Sequence, residues 1–155
     1  MATIEQAKKY YAEQAEKYDS FAQTAIGLLQ RQLTKHALGG LIGQTILDLD
    51  GGSGLIARDA ISLGASSVDI VDLSPEMLQI AREHERSLGR DVMRFFQGDV
   101  SLSLEHLPLR GEGYDVVMAN FVLNYADTLD SLEAMVGNMG RYLKPGGKLV
   151  GILSR

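Results

Sequence analysis

The chain has 155 residues, 45% of them apolar, with no cysteine and a formal net charge of −5. That length suits one domain with a real core. The lack of cysteine excludes a disulfide frame, a thiol nucleophile and a zinc–thiolate site, and an acidic balance without any Lys/Arg run argues against nucleic acid as a partner. The first residues carry Glu5, Lys8, Lys9 and Glu13 and hold no apolar signal core. No apolar run is long enough to cross a bilayer, so a cytoplasmic protein with no membrane partner is expected.

Met1 to about His36 is expected to be helical, with Ile4, Ala7, Tyr11, Ala15 and Tyr18 at helical spacing. Asp19-Ser20 is expected to break this helix and cap a second one, which carries Phe21, Ala25, Leu28, Leu29 and Leu33 on one face. Gly39-Gly40 and Gly43 mark the exit. β and α patterns then alternate. A strand is expected over Thr45 to Asp50 and a helix over Gly54 to Leu63. The next strand is Ser67 to Asp72, followed by a helix to about Leu88 with Ser74 as cap and Pro75 in its first position. Strand three is Val92 to Gln97, and strand four, Tyr114 to Ala119, follows the turn Gly111-Glu112-Gly113. A helix over Leu129 to Leu143 stops at the turn Lys144-Pro145-Gly146-Gly147, and strand five runs from Lys148 to Leu153. Such alternation with short connections predicts an α/β fold, a Rossmann-like doubly wound parallel sheet of about five strands with helices on both faces. Residues 1–40 are expected to form an N-terminal helical cap and 41–155 an α/β core, one domain in all.

The run Asp48-Leu49-Asp50-Gly51-Gly52-Ser53-Gly54 sits between the first strand and its helix. Glycine has no Cβ, so backbone N–H groups at a helix start can approach a ligand closely there. Gly52-Ser53-Gly54-Leu55-Ile56-Ala57 also satisfies the G-x-G-x-x-A dinucleotide form. Without a ligand the same run is simply a tight strand-to-helix turn. Asp72 ends the second strand, where a carboxylate can hold the two hydroxyls of a ribose. Ser74 supplies the helix cap, which leaves Asp72 free for that task. Asp48 lies where a doubly buried strand wants apolar residues, and a carboxylate there needs a partner or nearby water. A nicotinamide cofactor has no evident use for it, whereas a cofactor with a free amine and a sulfonium charge does. The other use for Asp48 is to cap loop amides. Asp99, after Gly98, can accept from an exocyclic adenine amine while the Val100 N–H donates to a ring nitrogen, and it can equally be a turn aspartate. Tyr10, Tyr11 and Tyr18 read first as core positions of an amphipathic helix. If that helix covers the pocket, one ring can face a cationic sulfur. His36, His84 and His106 show no ligand spacing, so no metal site is expected, and Arg82, Glu83, Glu85 and Arg86 read as a solvated helix face.

Together these residues resemble the class I S-adenosylmethionine-dependent methyltransferases, over nearly the whole chain from Tyr10 to Leu153. Ile46 to Gly54 is similar to the family's first motif, and Val71-Asp72-Leu73-Ser74-Pro75-Glu76-Met77-Leu78 to its second. Phe96-Gln97-Gly98-Asp99-Val100 is similar to the third. Tyr114 to Asn120 with Phe121-Val122-Leu123 resembles the fourth-strand region, and Leu143-Lys144-Pro145-Gly146-Gly147 the turn before strand five. The resemblance implies S-adenosylmethionine as cofactor. Asp48 with Asp50, Gly51 and Gly52 would hold its methionine part and Asp72 its ribose. Leu73 and Met77 would pack near sugar and base, and Asp99 and Val100 would recognise adenine. Asn120 and Phe121 would approach the methionyl amine and the reacting centre, with Tyr18 or Tyr10 above the cofactor. The implied reaction is in-line methyl transfer to a small-molecule acceptor. Asn124, Tyr125 and Tyr18 lie in segments that can face that acceptor, and no residue has a spacing that marks a general base. Two departures stand out. Asp50 stands where the family pattern has glycine, and the chain ends before the family's usual final helix and antiparallel strand pair. The second departure raises the expectation of a homodimer through the C-terminal sheet edge. Two rival readings remain: a non-catalytic methyltransferase-like binding module, favoured by both departures, and an NAD-dependent oxidoreductase, which explains the loop and Asp72 but not Asp48, Asp99 and the Lys-Pro-Gly-Gly turn together.

Overall fold

The computed structural model describes residues 4–153, with side chains from Lys9 onward except those of Tyr11 and Ala12. The elements in chain order are α1 (Ile4–Ala22), α2 (Ala25–Leu38), β1 (Thr45–Leu49), α3 (Leu55–Ser62), β2 (Ser67–Asp72), α4 (Pro75–Ser87), β3 (Met93–Gln97), β4 (Tyr114–Met118), a 3₁₀ turn (Val122–Tyr125), α5 (Leu129–Arg141) and β5 (Leu143–Val150). The strands form one five-stranded sheet in the order β3-β2-β1-β4-β5, and every pair is parallel.

Successive side chains of a strand point to opposite faces, so a strand covered on both sides must be apolar at nearly every position. The central strands obey this. Ile46, Val68, Ile70, Val116 and Met118 pack on one face against Leu38, Ala57, Ala60 and Leu78 from α2, α3 and α4. Leu47, Leu49, Val71 and Val117 pack on the other face against Met135 and Met139 of α5 and Leu104 of the β3–β4 connection. Each fully buried aliphatic side chain contributes roughly 1.5–3 kcal/mol. The chain leaves β1 toward β2 and β3 on one side, and β4 and β5 lie on the other. A crevice therefore opens beyond the strand ends between β1 and β4, the place where such sheets hold ligands.

Three boundaries differ from expectation. Asp19 and Ser20 lie inside α1, and the chain breaks later, at Gln23-Thr24. The break follows Thr24, whose Oγ1 accepts from the Gly27 amide at 3.2 Å and donates to the Phe21 carbonyl at 2.6 Å. Gly27 lets the two helices meet, because a Cβ there would lie 2.2 Å from the Phe21 oxygen. Met1 and the side chains of Ile4, Ala7 and Tyr11, used to argue the first helix, lie outside the described residues. The Lys144-Pro145-Gly146-Gly147 run is not a turn before the last strand but an irregularity within it: Tyr114 pairs with Leu143, and Val116 already pairs with Lys148. An edge strand tolerates a proline and such a bulge. β5 also ends at Val150 rather than Leu153, although Phe121 N–H still donates to the Ile152 carbonyl at 2.7 Å.

Polar ties fix the frame around the crevice. Arg31 forks onto Asp59 at 2.9 and 2.8 Å and joins α2 to α3. Lys148 donates to the Leu38 carbonyl at 2.8 Å and satisfies the end of α2. Asp115 accepts from Thr45 N–H at 2.8 Å and from Lys144 at 3.2 Å, which binds the start of β1 to β4 and β5.

Candidate functional site

At the end of β1 the backbone turns abruptly. Asp50 and Gly51 both point their N–H groups at the Val71 carbonyl, at 2.7 and 3.4 Å. Asp50 holds φ 61°, and Gly52 and Gly54 are left-handed as well. Gly54 then starts α3, with its N–H on the Gly51 carbonyl at 3.0 Å. Gly51 is required for space: a Cβ there would stand 2.7 Å from Ile70 Cγ2 and 2.8 Å from Asp48 Oδ2.

Two adjoining clefts open above this loop. The first, about 380 Å³, is lined by Tyr10, Gln14 and Tyr18 of α1, by Asp48, Asp50, Gly51, Gly52, Ser53, Leu55 and Ile56, by Asp72, Ser74 and Met77, and by Asn120, Phe121 and Tyr125. The second, about 370 Å³, is lined by Asp50, Leu73, Asp99, Val100, Ser101, Tyr125, Asp127 and Met135. Asp50 and Tyr125 belong to both walls. Each residue the resemblance implied for the cofactor lines one lobe or the other. The loop, Asp72, Met77, Asn120, Phe121 and Tyr18 are in the first lobe, and Leu73, Asp99 and Val100 are in the second, so Leu73 and Met77, paired by the resemblance, fall on different walls.

The carboxylates differ sharply in surroundings. Asp48 is 2% exposed, and its Oδ2 has no hydrogen-bond partner among the described residues. Burial first, then the charges of Asp50 and Asp72, hold its carboxyl well above the usual range. Burial likewise pushes Asp50 up to about 7, helped by the charge of Asp72 and a hydrogen bond to it. Asp72 is not free, contrary to the expectation from the sequence. Its Oδ2 accepts from Gly52 N–H and its Oδ1 from Ser74 N–H, both at 2.8 Å. A backbone that folds back over a strand end leaves amides to be satisfied, and the nearest acceptor takes them. Ser74 caps α4 as expected, accepting from Met77 N–H at 3.1 Å. The hydrogen bond with Asp50 occupies a further site, which leaves Asp72 one lone pair for a hydroxyl. Asp99 is partly a turn aspartate, since its Oδ1 accepts from Ser101 N–H at 2.9 Å. Asn138 of α5 braces the segment behind it, donating to the carbonyls of Val100 at 3.0 Å and Leu102 at 2.7 Å. The Tyr18 hydroxyl is pushed up by burial first and then by Asp48 and Asp19.

Sequence reasoning missed Gln14, Leu55 and Ile56 in the first lobe and Asp127 and Met135 in the second. Tyr10, Gln14 and Tyr18 recur every four residues, a spacing that puts them on one face of α1 and could have found Gln14. It also missed Asn120 Oδ1, buried and without a partner, and the left-handed φ of 62° at Phe121. Glu85 is a correction: it is buried rather than solvated, because it follows Leu78 and Ala81 on the inner face of α4, and it pairs with Arg90. Another buried acid, Asp69, lies away from both lobes and is consumed by Arg94 at 2.8 Å and by the Tyr114 hydroxyl. His36, His84 and His106 are exposed and line neither lobe. Among the described residues no group of three acids or histidines could hold a metal, and no helix is long and apolar enough to cross a membrane.

The family described as "Methyltransferase domain" matches residues 46–147. The chain is 38% identical over 117 residues to a ribosomal protein L11 methyltransferase of Deinococcus radiodurans, a match covering 74% of this chain and 40% of the relative. It is 29% identical over 147 residues to a demethylmenaquinone methyltransferase of Tropheryma whipplei, covering 92% of this chain and 56% of that one. The crystal structure of an S-adenosylmethionine-dependent methyltransferase from Mesorhizobium loti superposes with a TM-score of 0.60 at 29% identity, over 77% of this chain and 51% of the other. The chain thus spans about half the length, 40% and 56%, of the two curated relatives.

Proposed function

The chain belongs to the class I S-adenosylmethionine-dependent methyltransferases, and from that premise we propose that its two-lobed cleft binds the cofactor for methyl transfer to a small-molecule acceptor. The residues present fit such a ligand. The single observation that carries the reading is the orphaned Asp48 Oδ2, buried in the cleft wall against a glycine that leaves no room for a Cβ. A buried carboxylate oxygen without a donor is costly, and an amine brought by a ligand would satisfy it.

S-adenosylmethionine, when bound, would supply a sulfonium methyl group that a nucleophilic O, N or C of the acceptor attacks in line, with S-adenosylhomocysteine as the leaving group. Asp48 would accept from the methionyl amine. Asp72 would take the ribose hydroxyls, one on its remaining lone pair and one in place of the hydrogen bond with Asp50. Leu73 and Met77 would cover sugar and base, and Asp99 and Val100 would read the adenine edge. Asn120 and Phe121 would border the reacting centre, while Tyr18 and the rest of residues 1–40 would act as a cap that excludes water. Alignment and a dry site would lower the barrier by several kcal/mol, and a general base is needed only where the acceptor must lose a proton. A small acceptor suits the rim, where Tyr10, Phe121 and Tyr125 offer aromatic faces, and it agrees with the demethylmenaquinone methyltransferase among the relatives. The L11 relative is named for a ribosomal protein, so methylation assays on a quinol and on a basic protein separate the two acceptor classes. The absence of cationic residues from the cleft lining supports neither nucleic acid nor any other polyanion as acceptor. A cytoplasmic site of action fits this reading.

Calorimetric titration with S-adenosylhomocysteine and, separately, with NAD tests the site. The expected result is saturable binding of the first alone, abolished in Asp48→Ala. NAD binding without S-adenosylhomocysteine binding would favour the oxidoreductase. Cofactor binding without turnover on any acceptor would favour a non-catalytic module, the reading to which Asp50 lends weight. We also propose pairing of two copies along the outer edge of β5, where no strand is bonded among the described residues; sedimentation equilibrium at high concentration would read it as a dimer.

A further inference from the structure

Acids line both lobes, and cations do not. Asp48, Asp50, Asp72, Asp99 and Asp127 face the cleft, and no lysine, arginine or histidine joins them among the described residues. The nearby cations are committed elsewhere. Arg58 donates to the Ser53 carbonyl at 2.7 Å, beneath the loop, and Arg31 is forked onto Asp59. Four loop amides are committed as well. Those of Asp50 and Gly51 go to Val71, that of Gly52 goes to Asp72, and that of Gly54 goes to Gly51. A glycine-rich loop ordinarily greets an anion with such amides; here four of them are already bonded, which leaves the Ser53 amide and the first-turn amides of α3, from Leu55 and Ile56, on the wall of the first lobe. At the junction of the lobes stands Asp50, a side chain on left-handed backbone where glycine would be unstrained. Independently of this acidic lining, Asp48 keeps a buried, unpartnered oxygen on the same wall.

Resting on the cofactor reading above, we propose that Asp50 is a specificity-determining residue: it makes the site favour adenosyl ligands whose aliphatic tail carries an amine without a carboxylate over those that carry both. An ammonium group finds Asp48 Oδ2 and Asp50. A carboxylate beside Asp50 meets like charge and no cation, and is left neutral donors only: Gln14, Asn120, the tyrosines and the amides at the start of α3. The groups around Asp50 are Asp48 from β1, Asp72 from β2, Tyr18 from α1, and Asp99, Tyr125 and Asp127 from the connections. None can offset its charge. Burial and Asp72 push the Asp50 carboxyl up to about 7, so it is neutral at pH 6 and ionised at pH 8. Discrimination against the carboxylate therefore grows with rising pH.

Calorimetry at pH 6 and pH 8 tests this with three thioether probes. They are 5′-methylthioadenosine, which has no charged tail, S-adenosylhomocysteine, which has amine and carboxylate, and its decarboxylated counterpart with a 3-aminopropyl tail. At pH 8 the aminopropyl compound is expected to bind at least about tenfold tighter than S-adenosylhomocysteine, the scale of one unit-charge repulsion at a partly buried site. The gap should narrow at pH 6. Asp50→Gly and Asp50→Asn should each recover about tenfold for S-adenosylhomocysteine at pH 8. Methylthioadenosine affinity in wild type and each variant sets the adenosyl baseline from which the tail preference is read, and circular dichroism shows that the variants are folded. Equal or tighter binding of S-adenosylhomocysteine by the wild type at pH 8, or a gap that persists in both variants, overturns the proposal. If methylthioadenosine binds and the gap is absent, only the proposal falls. If no adenosyl compound binds, the cofactor reading falls and the proposal with it.

Discussion

Asp50 and Phe121 are the non-glycine residues with left-handed backbone among those described, and both line the cleft. Each such residue costs roughly 1–2 kcal/mol, and strain of this kind gathers where function requires it. At Asp50 the electrostatics add to the strain. Its carboxyl sits at about 7 in the folded state, above the ordinary carboxylate value, so the folded protein holds a proton that the unfolded chain releases. Stability therefore falls as pH rises from about 4, the unfolded value, and the loss is complete above the folded value of about 7. Asp50→Gly removes both penalties. It should stabilise the protein by about 1 kcal/mol at pH 4, from strain alone, and by clearly more at pH 8. Urea unfolding at the two pH values measures this, and a gain that does not depend on pH would show that the carboxyl titrates normally. The first motif made Asp50 visible as an oddity in the sequence. Its bond to Asp72 and its place at the junction of two lobes were not visible, since both depend on how separate strand ends meet.

The elements show why boundaries were harder to read than patterns. The first four β runs and the Ser74-Pro75 helix start carry local signals, and they stand where the sequence put them. The α1–α2 break moved from Asp19-Ser20 to Thr24, where the cap bond to Gly27 and the close approach of the helices at Gly27 fix it. The Lys144-Pro145-Gly146-Gly147 run reads as a turn by composition, yet it pairs as a bulged edge because β4 lies alongside it. The β3–β4 connection contains no regular element, and α5 shapes it instead through Asn138, which is 5% exposed. Asn138→Ala would leave the Val100 and Leu102 carbonyls without those donors. The expected cost is about 1–3 kcal/mol, with weaker adenosyl binding through the Asp99–Val100 lobe. Urea unfolding together with methylthioadenosine titration reads both effects; unchanged values would mean that the connection holds its shape by apolar packing alone.

Across the whole molecule, the strand order carries the site to the crevice between β1 and β4. The Arg31–Asp59 and Lys148–Leu38 ties hold the helical cap beside it. The same order leaves β5 at the margin with Leu149 50% exposed, the kind of edge that invites strand pairing. Leu149→Lys should weaken the proposed dimer in sedimentation equilibrium, and a wild-type chain that stays monomeric at high concentration would rule it out. By itself the sequence determined the α/β class, the glycine loop and the acids at the strand ends, because periodicity, turn chemistry and carboxylates in apolar runs are local signals. Only the tertiary structure decided that Asp72 braces the loop, that Asp48 keeps an orphaned oxygen and that the cations turn elsewhere. Hydrogen-bond satisfaction and burial are settled between residues distant in sequence, and no local pattern records which partner wins.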